Sequence, residues 1–214
     1  MKPNCIRRGA FTLIELLVSI GIVILLASLA ASSIRSATAR AQSASCLSQL
    51  RQIGSAFLSY TGENNQIGPY DARDVGNQTL SLWRYNGKSV IFGPLMPYLE
   101  TGDRSTTPSL LICPGASRSF RMSLARSRDN TSYWMNPDVS SNPTNMKSLL
   151  SLPGDRVAIM DCCTWWQAGI FGKDYDNHSA SGANVFRLNG SASWIPIAKT
   201  TGLAAWNWSQ LDKK

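Results

Sequence analysis

Histidine occurs once in this chain, at position 178, and no two cysteines stand in a CxxC spacing. Those scarcities weigh against zinc modules built from closely spaced thiolates and imidazoles. Charge is sparse too: Asp, Glu, Lys and Arg make up 16% of 214 residues, against 43% hydrophobic. That ratio excludes a disordered polyelectrolyte and fits one apolar segment followed by one modest globular domain. No paired acids, nucleophile and base sets or phosphate loops occur at spacings that compel an enzymatic reading. Proline is missing from residues 4 to 68, so a helix over that stretch meets no breaker of that kind.

What is present begins with FTLIELLVSIGIVILLASLAA, residues 11–31, whose only formal charge is Glu15. A helix of that length extends roughly 31 Å, the thickness of a bilayer core, and a membrane span is expected. Lys2, Arg7 and Arg8 precede it and would hold a short leader on the cytoplasmic side. An acidic side chain deep in hydrocarbon costs about 2.5 to 3.5 kcal/mol, so it needs a partner. A cut before Phe11 would create an amino group one helical turn from Glu15. An ordinary secretory signal, cleaved near Ser28-Leu29-Ala30, would have a shorter apolar run and no acid in its front half. A plain anchor would leave the carboxylate unpaired.

Gly9-Ala10 followed by Phe11-Thr12-Leu13-Ile14-Glu15-Leu16-Leu17 resembles the leader and first mature residues of type IV prepilins and type II secretion pseudopilins. The resemblance implies that prepilin peptidase removes residues 1–10, cutting between Ala10 and Phe11, and methylates the amino group of Phe11. It implies that Glu15 pairs with the amino terminus of a neighbouring subunit in a filament. Ala10 stands where the family usually has Gly. The implied partners are prepilin peptidase, identical or related pilin subunits, an inner-membrane assembly platform, and lipid before assembly. The implied location is the bacterial inner membrane, single-pass, with the head outside. The implied function is a structural subunit of a pseudopilus or pilus and not an enzyme. The alternative is a minor pilin that binds DNA, carbohydrate or a secreted substrate.

Loss of the leader takes Lys2, Arg7 and Arg8 from 21 basic residues, leaving 18 against 13 acidic, so the net charge falls from +8 to +5. Arg118, Arg121, Arg126 and Arg128 remain clustered, but no nucleic-acid fold motif accompanies them and no nucleic-acid partner is expected. The leader also takes Cys5, leaving Cys46, Cys113, Cys162 and Cys163 on the oxidising side, where disulfides persist. Four thiols allow three pairings. The favoured one joins Cys46 to Cys113 and ties helix to domain, with the adjacent Cys162 and Cys163 as a strand pair or vicinal disulfide; a zinc site is the weaker alternative.

Beyond residue 31, Ile34, Ala37, Ala41, Ala44, Leu47, Leu50, Ile53 and Phe57 recur every three or four residues. That period predicts an amphipathic continuation over residues 32–60, with Gly21 and Gly54 as soft points and Thr61-Gly62 and Asn64-Asn65 as the stop. The segment from Cys46 to Tyr70 also resembles the helix end and following turn of a large pilin-like group. Residues 61–214 then read as the head. Short strands are expected around a hairpin turn at Asn86-Gly87, ending in Val90-Ile91-Phe92. A helical turn or loop follows over 94–100, then a short buried strand over 109–114. An irregular excursion over 115–152 holds the aromatic island Tyr133-Trp134-Met135. A central strand is expected over 156–163 and a second hairpin over 183–197 with Asn189-Gly190 at its turn. The fold class is α+β, a long helix half laid across a small antiparallel sheet, in the pilin manner.

HSASGANVFRLNGSASWI, from His178, further resembles the C-terminal element of an expanded class of bacterial pilin-like proteins, in which a His precedes Asp-Gly by nine residues. Here the gap is ten and Asn189 stands in the acid's place. No cofactor is expected. Asp174 and Asp176, beside Asn177 and His178, are weak calcium candidates set against a solvated turn. His178 by itself reads as a hydrogen-bonding residue, not a base. Trp165, Trp166, Trp194, Trp206 and Trp208 read as core or contact residues before they read as a sugar platform.

Overall fold

The computed structural model describes residues 12–70, 84, 85, 88–99, 108–116, 121, 131–141, 148–161, 178 and 182–196. The chain divides into two compact units, Met1–Arg40 and Ala41–Lys214. A single helix, α1, Leu13–Glu63, contributes to both. Its N-terminus is closed by a capping box. Glu15 N donates to Thr12 Oγ1 at 3.4 Å, and Thr12 N and Oγ1 each donate to Glu15 Oε2 at 2.9 Å. Its C-terminus stops where Asn65 and Gln66 turn left-handed, at φ 55° and 59°. Asn64 Nδ2 and Gln66 N then satisfy the last-turn carbonyls of Tyr60 and Thr61.

Among the described residues no helix is long and apolar enough to cross a membrane. This corrects the expected span over 11–31 and the inner-membrane location drawn from it. The helix starts at Leu13, places Glu15, Ser19 and Ser28 among its apolar residues, and runs on without a break into the polar second half. The amphipathic stripe is also shorter than expected. Ala44 and Ile34 are exposed, and burial begins at Cys46, continuing through Leu50, Ile53 and Phe57.

In the second unit the strands are β1 (Arg84–Tyr85), β2 (Lys88–Ser89), β3 (Tyr133–Met135), β4 (Val157–Asp161), β5 (Gly182–Arg187) and β6 (Ala192–Pro196). β1 and β2 pair antiparallel around residues 86 and 87. The other four form one antiparallel sheet in the order β3-β4-β5-β6. The described architecture is therefore α+β, a helix packed on a small four-stranded antiparallel sheet. β4 is interior, as its unbroken apolar run requires. The β5–β6 loop turns at Leu188-Asn189-Gly190, where Gly190 takes φ 83° and Gly190 N donates to Arg187 O at 2.9 Å. That is a type I turn closed by a left-handed residue, which glycine adopts without a Cβ clash.

Three local expectations are corrected. Val90, Ile91 and Phe92 leave the hairpin as a buried turn, because Gly93-Pro94 starts a 3-10 segment, Gly93–Tyr98, and a ladder cannot continue through Pro. Ser109–Leu111 is a 3-10 turn following Pro108, not a strand; Leu111 and Cys113 are nevertheless buried. Tyr133–Met135 is the edge strand β3, ordered by β4 beside it in spite of its polar neighbours in sequence. Of the helical turn or loop expected over 94–100, the described part is helical, within the 3-10 segment Gly93–Tyr98.

At Gly54 α1 lies close against the sheet. A Cβ there would run into the ring of Phe186 on β5. The residue that weakens the helix is therefore the one that lets the sheet dock.

Candidate functional site

Strand register creates the site. β3 and β4 set Tyr133 opposite Asp161, and β5 and β6 set Asn184 opposite Trp194. Asn184 joins the two pairs, donating its backbone N to Asp161 Oδ1 and its Nδ2 to Asp161 Oδ2, both at 2.7 Å. The resulting cross-strand row meets α1, where the Tyr133 hydroxyl donates to Gln49 Oε1 at 2.8 Å. Cys46 lies three residues before Gln49 and shares that side of the helix.

Cys46 is bonded to Cys113 across 67 residues, with an S–S distance of 2.01 Å. Gly115 N donates to Cys46 Sγ at 3.3 Å, and Gly115 O accepts from His178 N at 3.2 Å. A side chain at 115 would come within 2.6 Å of the His178 ring, so glycine is what admits the imidazole. His178 itself holds φ 61°, a conformation uncommon outside glycine. Its Nε2 lies 2.8 Å from Asp161 Oδ2, 3.4 Å from Asn184 Nδ2 and 3.5 Å from Cys113 Sγ. The ring meets Trp194 edge-on, centroids 5.4 Å apart. Side-chain exposure is 5% for His178 and 1% for Asp161, so this is a buried polar network.

A buried carboxylate is tolerable only when its lone pairs are occupied. Asp161 accepts from Asn184 twice and from the Nε2–H of His178, which fixes the proton on that nitrogen. Asn184 Oδ1, also buried, has no hydrogen-bond partner among the described residues. Burial first, and the negative Asp161 second, push the Tyr133 phenol well above its usual value of 10.0.

Cys113, His178 and Asp161 stand together as the members of a nucleophile relay would, but their geometry does not make one. A relay needs the acid on one imidazole nitrogen and the nucleophile on the other. In this site Asp161 and Cys113 both face Nε2, and Cys113 is already bonded to Cys46. What the four groups do share is donor chemistry. Cys46, Cys113, Asp161 and His178 bring one ligand atom each to within 4.8 Å of one another.

Sequence reasoning named Cys46, Cys113 and His178 but missed Asp161, Asn184 and Gly115. The available signal was a polar residue set in each of two apolar strands, VAIMD and GANVF, since buried polar groups find one another. Glu15, expected at a subunit contact, makes the local cap with Thr12. Ala10, Phe11, Asp174, Asp176, Cys162 and Cys163 lie outside the described residues, as do Arg118, Arg126 and Arg128; Arg121 is exposed.

No protein-family model, curated protein or solved structure matches this chain.

Proposed function

We propose that this chain is a structural subunit of a pilus-like or pseudopilus filament, released from its leader by prepilin peptidase between Ala10 and Phe11 and assembled through α1. The observation that carries this reading is the exposed apolar surface at the start of the helix. Leu13, Ile14, Leu16, Leu17, Val18, Ile20, Ile22, Val23, Ile24, Leu25, Leu26 and Leu29 are each 50 to 82% exposed. At 100° per residue these positions point in every direction, so a single neighbouring helix, which needs one apolar seam, could not cover them. Several neighbours could, and each such side chain buried stabilises the contact by roughly 1.5 to 3 kcal/mol.

The polar residues in this stretch support the same reading. Ser19 and Ser28 bond back to the carbonyls of Leu16 and Leu25 at 2.8 Å, leaving the helix surface to its apolar neighbours. Glu15 would meet the methylated amine of Phe11 on an adjacent subunit. The chain's likeness to prepilins at Gly9-Ala10-Phe11 through Leu17 agrees with a subunit whose work is packing rather than bond chemistry.

The test is mass spectrometry of the amino terminus in filaments recovered from the producing cells. N-methyl-Phe at position 11 is expected. Filaments that incorporate the chain with residues 1–10 still attached would overturn the reading.

A further inference from the structure

We propose that Cys46, Cys113, Asp161 and His178 form two mutually exclusive centres: the disulfide, and, when that bond is reduced, a tetrahedral site for a zinc-like divalent ion. The proposal stands apart from the filament role.

The size and donor set are right. Two ligands at about 2.0 to 2.3 Å from a tetrahedral ion sit roughly 3.3 to 3.8 Å from one another. The four donor atoms here all lie within 4.8 Å, and they are two sulfurs, an imidazole nitrogen and a carboxylate oxygen. That is a borderline-soft, four-ligand set suited to Zn2+ and poorly suited to Ca2+ or Mg2+, which take oxygen. All four residues are buried or nearly so.

The surroundings are those a metal centre uses. Asn184 holds both carboxylate oxygens of Asp161 through its N and Nδ2, fixing the orientation of the acid. Gly115 N points at Cys46 Sγ, where a backbone donor steadies a thiolate more than it does a neutral sulfur. The unsatisfied Oδ1 of Asn184 lies on the residue that positions Asp161.

The conversion balances as follows. A dithiol reductant gives two electrons and two protons to the Cys46–Cys113 bond, yielding two thiols, and is itself oxidised to a disulfide. Zn2+ then displaces both thiol protons, and neutral His178 binds through Nε2 with its proton moved to Nδ1. Asp161 supplies the fourth bond, so the loaded centre carries one net negative charge. The same pair of sulfurs cannot serve both states, so reoxidation by a small-molecule disulfide, which takes the two electrons and leaves as two thiolates, expels the ion.

The experiment uses the full chain carrying Cys5→Ser, Cys162→Ser and Cys163→Ser, with Co2+ as a spectroscopic probe and Zn2+ as competitor. The reduced protein is expected to bind one Co2+ per chain, with the visible bands of tetrahedral, thiolate-ligated cobalt, and to release it to Zn2+. The disulfide form should show no such bands. Cys46→Ser and Asp161→Asn should abolish the spectrum, and Asn184→Ala should weaken binding by roughly 10- to 100-fold. A folded, reduced chain with no stoichiometric cobalt, or one whose cobalt is indifferent to Asp161→Asn and Cys46→Ser, would overturn the proposal. Should reduction unfold the chain, refolding the reduced protein with Zn2+ must restore its circular dichroism; failure to do so overturns it equally.

Discussion

Thr12 and Glu15 cap each other across the first turn of α1, the hydroxyl of one taking the amide of the other while the carboxylate takes both Thr12 donors. Glu15 therefore has two separable jobs, a local one seen in the structure and the subunit contact proposed above. Thr12→Ala and Glu15→Ala should both fray the first turn, read as faster amide exchange at Leu13 to Leu16. Glu15→Gln should keep the turn, since Gln serves in a capping box, yet reduce filament incorporation. Equal incorporation of Glu15→Gln and the parent chain would confine the carboxylate to its capping role.

Gly54→Ala would be favourable by about 1 kcal/mol in an isolated helix. Against Phe186 the sign reverses, because the added methyl occupies space the ring already fills. A net loss of about 1 to 3 kcal/mol is expected from overpacking, measured by urea unfolding.

Tyr133 makes alkaline stability a test of the site. Its phenol is pushed well above 10.0 by burial and by Asp161, so the folded state favours the neutral form. That contribution is complete below about pH 10 and is lost as the pH climbs from there toward the folded value, since only the unfolded chain ionises readily. Tyr133→Phe should start less stable at pH 7, having lost the bond to Gln49, and should then show a shallower decline above pH 10. Parallel curves for the two proteins would count against the shift.

The Cys46–Cys113 bond closes a loop of 67 residues. On the chain-entropy model a loop of that size is worth about 4 kcal/mol, a large part of the stability of a domain this small. The double variant Cys46→Ala, Cys113→Ala, in metal-free buffer, should lose roughly that amount, seen as a lower denaturation midpoint with a steeper slope, because the unfolded chain without the cross-link exposes more surface.

Much of the backbone was legible because its causes are local. The helix from the first turn to Asn64-Asn65, the interior strand around Val157–Asp161 and the turn at Asn189-Gly190 each follow from periodicity or from a residue that tolerates one conformation. The capping box was legible too, in Thr-Leu-Ile-Glu, but the resemblance drew Glu15 toward another role. Residues 90–92 and 109–111 misled because a short apolar run suits a strand or a tight turn equally, and the neighbouring prolines decided it.

The order of residues by itself determined which segments coil, extend or turn, since those preferences depend on neighbours within a few positions. Only the folded chain decided that Asp161 should find Asn184, that Gly115 should admit His178, and that both should stand beside a cysteine pair joined from positions 46 and 113. Those choices depend on strand register and on where the helix crosses the sheet. Both are set by the packing of residues far apart in sequence, such as Gly54 against Phe186.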